Sequence, residues 1–278
     1  MEPMQRASDM HPPPCRERRT SMPPDGEHSQ AGDVASVDIP AVAQSVSLGR
    51  RLAAETVGTT FLLIAVVGSG ILGERLAAGT TAIALLANAL ATAATLFALI
   101  QWFAPLSGAH FNPLVTLAMT LRGDIAWRAA AAYVPAQIVG GIIGVALANM
   151  MFDQPVFSLS GQARSGPSQW LSEFVSTFGL VGAVWICSRL RPGSIAGVVS
   201  AYIGGAFWFT ASSFANPAVA LARAFTDTFS GIRLVDVPGF MIAETAGAAA
   251  AVIVFRWLLP HASNDAREAR LVPISGAQ

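Results

Sequence analysis

The chain has 278 residues, 53% of them hydrophobic and 12% charged, and its 17 acidic and 17 basic side chains cancel to zero net charge. A soluble domain carries about 25% charged residues, so half that value with a mean hydropathy of +0.52 points to a chain that crosses a membrane repeatedly. Zero net charge leaves no basic footprint for nucleic acid, and two cysteines, Cys15 and Cys187, are too few for a disulfide framework.

Residues 1–48 are rich in Pro, charged and small polar residues without apolar periodicity, which predicts a disordered cytoplasmic tail. They contain no apolar h-region, so the segment does not read as a secretory signal. His11, Cys15 and His28 lie here at spacings that match no metal-ligand set. Crossing a bilayer takes roughly 20 mostly apolar residues. Such stretches fall near 50–73, 79–104, 126–150, 168–189, 194–212 and 237–259. Two shorter apolar helices, near 112–121 and 216–224, are too brief to cross, and 261–278 form a second cytoplasmic tail.

The order is therefore span, span, half-helix, span, written once over about 50–150 and again over about 168–259. Ala53-Ala54-Glu55 opens the first span and Leu171-Ser172-Glu173 the fourth. Tyr133, Gln137 and Gly140 in the third span recur with the same spacing as Phe240, Glu244 and Gly247 in the sixth. Three crossings per repeat is an odd number, so the second half enters from the opposite side, giving an inverted repeat. Arg50, Arg51, Arg122, Arg128, Arg189, Arg191, Arg256, Arg267 and Arg270 then share one side, against Arg75, Arg164, Arg223 and Arg233 on the other. The excess predicts both termini in the cytoplasm, which in a bacterium means the inner membrane. Gly140, Gly141, Gly144, Gly247 and Ala248 mark close helix contacts.

Each half-helix is preceded by one copy of a short motif, Ser107-Gly108-Ala109-His110-Phe111-Asn112-Pro113-Leu114-Val115 and Ser212-Ser213-Phe214-Ala215-Asn216-Pro217-Ala218-Val219. The chain holds five asparagines, and its two Asn-Pro pairs occupy matching places in the two halves. Asn is a preferred N-cap and Pro a preferred first helical residue, so each copy predicts loop, cap, helix start. Two half-helices entering from opposite faces would aim their positive ends at one spot near the midplane. Such a passage admits neutral hydroxylated solutes and repels cations. Backbone carbonyls of Gly108 to Phe111 and Ser212 to Ala215 would supply acceptors along it.

These motifs resemble those of the aquaporin, or major intrinsic protein, family, and the resemblance covers about 50–259. Leu114 departs from the usual Ala of the first copy, whereas Asn216-Pro217-Ala218 is intact. The resemblance implies an all-α integral membrane fold, an aquaporin-like inverted repeat of six transmembrane helices and two re-entrant half-helices within a channel domain at 49–260. It further implies a homotetramer in the lipid bilayer with one pore per subunit, no cofactor, no metal and no enzymatic activity. Asn112, Pro113, Leu114, Asn216, Pro217 and Ala218 would line the pore, Glu55 and Glu173 would hold the re-entrant loops, and His110 would brace the first. Glu244 is unsettled, because the first repeat has the neutral Gln137 there.

Family spacing counted from the two asparagines places a constriction ring at Thr92, Gly204, Ser213 and Val219, with Asn88 in place of Thr92 after a one-turn shift. Most members carry Arg where this chain has Val219. The nearest arginine, Arg223, would sit in the outer mouth or be a surface charge. A ring without a bulky, aromatic or charged member suits solutes larger than water: glycerol-like polyols, urea, boric acid, and the neutral hydroxides of arsenite and antimonite. The absence of that Arg resembles a bacterial branch associated with arsenic resistance. Two other readings remain, an ion-coupled secondary transporter with inverted repeats and a water-selective pore. No Ser/His/Asp set, metal-ligand cluster or nucleotide loop suggests an enzyme.

Overall fold

A computed structural model describes residues 46–259, and these are all-α. The predicted tails lie outside the described residues apart from 46–48, as do His11, Cys15 and His28. The helices are α1 (Leu48–Leu76), α2 (Thr81–Ser107), α3 (Pro113–Arg122), α4 (Trp127–Met151), α5 (Pro167–Leu190), α6 (Ile195–Phe209), α7 (Pro217–Ala222) and α8 (Val237–Leu258). Single 3-10 turns occupy Pro192–Ser194, Arg223–Phe225 and Leu234–Asp236. Five helices, all but α3, α6 and α7, are long and apolar enough to cross a membrane.

The packing repeats in the two halves. In each, the first helix lies against the third, α1 on α4 and α5 on α8, while α2 and α6 meet between the halves. The half-helices α3 and α7 touch each other and the third helix of the opposite repeat. Close approach needs glycine at two equivalent places: a Cβ on Gly140 would overlap the Thr56 carbonyl, and one on Gly247 the Phe174 carbonyl. Hydroxyls on α1 are satisfied within the bundle, Thr59 donating to Glu55 O (2.8 Å) and Thr60 to Thr56 O (2.8 Å) and Gly140 O (3.0 Å). Internal satisfaction is what a segment without access to water requires. Outer faces are apolar, with Leu90, Ile242 and Ile253 exposed, and Trp102, Trp127, Trp208 and Trp257 stand exposed near helix ends, where interfacial aromatics belong.

Two elements are shorter than the sequence predicts, and both losses have a cause. The stretch expected over 194–212 is helical only to Phe209, 15 residues or about 22 Å. Thr210 caps the helix, and residues 211 and 212 are recruited instead by α5: Ala211 N–H donates to Ser172 Oγ (3.0 Å) and Ser212 Oγ to Glu173 (2.6 Å). The half-helix expected over 216–224 is α-helical to Ala222 and then tightens into a 3-10 turn. Carbonyls of that turn accept from a neighbouring loop, Ala224 O from Ser160 N–H (3.1 Å) and Phe225 O from Ser158 N–H (3.1 Å).

Candidate functional site

The residue before each Asn is forced into the left-handed region. Phe111 has φ 49° and Ala215 φ 50°, a conformation costing a non-glycine residue about 1–2 kcal/mol. Such strain persists only where surrounding bonds over-determine it. Here those bonds come from two buried glutamates. Glu55 Oε1 accepts from Ser107 Oγ (2.6 Å) and His110 N–H (3.0 Å), and Oε2 from Phe111 N–H (2.7 Å) and Gln137 Nε2 (2.8 Å). Glu173 accepts from Ser212 Oγ (2.6 Å), Phe214 N–H (2.9 Å) and Ala215 N–H (2.8 Å). His110 Nδ1 lies 3.0 Å from Thr116 Oγ1 on α3, tying loop to half-helix.

Asn112 and Asn216 cap their helices as expected. Asn112 Oδ1 accepts from Leu114 N–H (2.9 Å), and Asn216 Oδ1 from Ala218 N–H (3.0 Å). Their amide nitrogens make a contact that no sequence pattern marks. Asn112 Nδ2 donates to Ala215 O (2.7 Å) and Asn216 Nδ2 to Phe111 O (2.8 Å), so each repeat bonds the strained carbonyl of the other. An amide nitrogen has two N–H groups, so each Asn keeps one for another acceptor. The carbonyls of Phe111 and Ala215 already serve a protein donor.

One cavity of about 380 Å³ is lined by both asparagines. Its wall runs from Arg51, Arg122 and Ser188 at one end to Ser213, Val219 and Arg223 at the other, and includes Gly108 to Phe111. Thr92 is on the wall, whereas Asn88 turns its amide to Val66 O (2.7 Å). The hydroxyls of Thr92 and Ser213 have no hydrogen-bond partner among the described residues. Gly204 departs from the expected ring. It faces α2, where an added Cβ would lie 3.0 Å from Ala93 Cβ, and α6 gives the wall Ile203 and Phe207 instead. Of the small apolar residues after the asparagines, Pro113 opens α3, Leu114 packs in the core, and Pro217 and Ala218 are buried at the start of α7.

Arg223 is no surface charge. It is 6% exposed, donates through Nε to Ser230 O, and holds its guanidinium 3.5 Å from the centroid of the Phe214 ring. Arg164 approaches the same ring at 5.5 Å and pins the covering loop through Gly231 O (2.7 Å) and Phe229 O (3.0 Å). Burial lowers the Arg164 pKa, an effect that the charge of Glu173 opposes. At the far end Arg51 donates to Tyr133 Oη (2.8 Å), which donates to Ser107 O (2.9 Å). The repeat marks Tyr133 in the sequence, but no sequence signal marks this relay, nor Ile203, Phe207 or the Phe214 platform. Spacing carries no information on how a helix is rotated.

Residues 42–210 match the family described as major intrinsic protein. The chain is 53% identical over 226 residues to the aquaglyceroporin AqpS of Rhizobium meliloti, covering 81% of this chain and 97% of that protein. It is 33% identical over 132 residues to the glycerol uptake facilitator protein of Bacillus subtilis, 41% of this chain and 47% of the relative. A solved aquaglyceroporin from Plasmodium falciparum superposes with a TM-score of 0.57, over 76% of this chain and 95% of the other, at 21% identity. At that identity the likeness speaks to the fold alone.

Proposed function

The chain belongs to the major intrinsic protein family, multi-pass membrane channels and not enzymes, and from that premise we propose that it is a passive pore for small neutral solutes: glycerol-like polyols, arsenite and antimonite hydroxides, and water. The observation that carries this reading is Val219 on the cavity wall, where the family resemblance leads one to expect an arginine. A branched apolar side chain neither reaches across the passage nor donates a hydrogen bond. The unpartnered hydroxyls of Thr92 and Ser213 on the same wall suit a solute with several O–H groups. One relative named as an aquaglyceroporin and one named as a glycerol uptake facilitator support polyol passage.

In this reading Asn112 and Asn216 each offer their remaining N–H to the solute oxygen. The capped ends of α3 and α7 place partial positive charge beside it, which opposes cations. Arg223, seated on Phe214, is the cationic donor of the outer mouth. The pore works as one of four in a homotetramer, with both termini cytoplasmic. Two wall residues favour a second reading: Phe207 and Arg223 bring an aromatic ring and a guanidinium to the cavity, the composition of a water-selective filter.

Stopped-flow flux into proteoliposomes of the purified protein separates the two. Rapid glycerol and arsenite entry, running downhill in both directions and insensitive to protonophores, supports the wide pore and excludes ion coupling. Fast water flux with glycerol and arsenite at the empty-vesicle rate selects the water-specific channel.

A further inference from the structure

The two repeats hold their re-entrant loops with the same device except at one position. In the first, Gln137 of α4 donates its amide N–H to Glu55 Oε2 (2.8 Å), the fourth donor on that carboxylate. In the second, Glu173 has its loop donors, but the residue that α8 presents in the place of Gln137 is Glu244. Glu244 is fully buried beside Glu173, for the two carboxyl groups accept from adjacent backbone N–H groups, those of Asn216 and Ala215. Its Oε1 accepts from the backbone N–H of Asn216 (2.9 Å), while its Oε2 is buried with no donor among the described residues.

Two ionised carboxylates side by side inside an apolar bundle repel, and both are fully buried here. A carboxylic acid has nearly the shape of a glutamine amide and supplies one donor and one acceptor. We propose that Glu244 is a neutral acid whose Oε2–H donates to Glu173, so that it positions the second Asn-Pro loop as Gln137 positions Glu55. The surroundings decide which partner keeps the negative charge. Glu173 receives the loop N–H groups and the attraction of Arg223 and, beyond it, Arg164, whereas the charge that Glu244 meets is Glu173 itself. One proton on Glu244 therefore completes a chain from Asn216 N–H through Glu244 to Glu173 and on to Ala215 N–H. That chain fixes the residues on both sides of the peptide bond from which the second pore asparagine projects. The inference goes beyond the proposed function, since it holds whichever neutral solute passes.

The test uses the full chain in liposomes at neutral pH. Infrared spectra of the wild type should show the C=O stretch of a protonated carboxylic acid, and Glu244→Gln should abolish it. The same variant should keep water permeability within about twofold of wild type, because the amide reproduces both bonds. Glu244→Leu, which orphans Asn216 N–H and withdraws the donor from Glu173, should lower permeability about tenfold or be lost from the membrane. The proposal is overturned if the wild type lacks the band or if the band survives in Glu244→Gln. It is equally overturned if Glu244→Gln is lost from the membrane or conducts no better than Glu244→Leu.

Discussion

At the scale of single residues the decisive position is Val219. An arginine there would place a second guanidinium about one turn before Arg223, which caps the six-residue helix, and like charges at that spacing repel. Arg223 is anchored by Ser230 O and Phe214, so the new side chain has the passage itself as its free space. Val219→Arg should cut glycerol and arsenite flux by about tenfold, ~1.4 kcal/mol in barrier, with a smaller loss for water. Equal suppression of all three, measured in one stopped-flow series, would mean the pore is plugged or misfolded rather than narrowed. Asn112, Asn216, Glu55 and Glu173 were legible in the sequence because each combines an unusual residue type with a duplicated context. Gly204 lies off the cavity wall for a definable reason. Gap-free counting fixes position along α6 but not rotation about it, and one residue on a helix turns the side chain by about 100°. The missing Cβ that suggested an open ring is used instead for contact with Ala93.

At the scale of elements, the helices follow hydrophobic length closely: the spans expected at 126–150 and 168–189 are Trp127–Met151 and Pro167–Leu190. The failures lie on either side of the second Asn-Pro motif, where a side chain of α5 and backbone N–H groups of a neighbouring loop capture backbone that composition alone assigns to a helix. Helix pairing was legible through glycine. Gly140 against Thr56 and Gly247 against Phe174 are equivalent contacts, each beside a loop-holding glutamate, so a wedge at either should loosen the carboxylate as well as the packing. Gly140→Ala and Gly247→Ala should each destabilise the detergent-solubilised protein by about 1–3 kcal/mol. Gly197, with nothing near its added Cβ, provides the control: Gly197→Ala should leave the thermal midpoint unchanged or raise it, alanine being the better helix former. A midpoint lowered as much by Gly197→Ala as by the other two would remove close packing as the cause.

At the scale of the molecule, the repeat is a mechanical coupling and not only a record in the sequence. The two halves meet through reciprocal bonds, Asn112 to Ala215 O and Asn216 to Phe111 O, and each bond holds a carbonyl of a residue in the left-handed region. Losing one bond frees a strained peptide in the opposite half and lets the half-helix tips part, which weakens the other. Serine tests this cleanly, because it remains a good N-cap but is too short and has no amide to cross the gap. Asn112→Ser and Asn216→Ser should each destabilise by about 1 kcal/mol, the net worth of a buried hydrogen bond. The double variant should then cost less than the sum by at least about 0.5 kcal/mol, beyond the additivity expected of independent sites. Unfolding midpoints of the four proteins in one detergent supply the cycle. Additive losses would show that the asparagines act within their own repeats, and that the midplane contact contributes nothing to joining them.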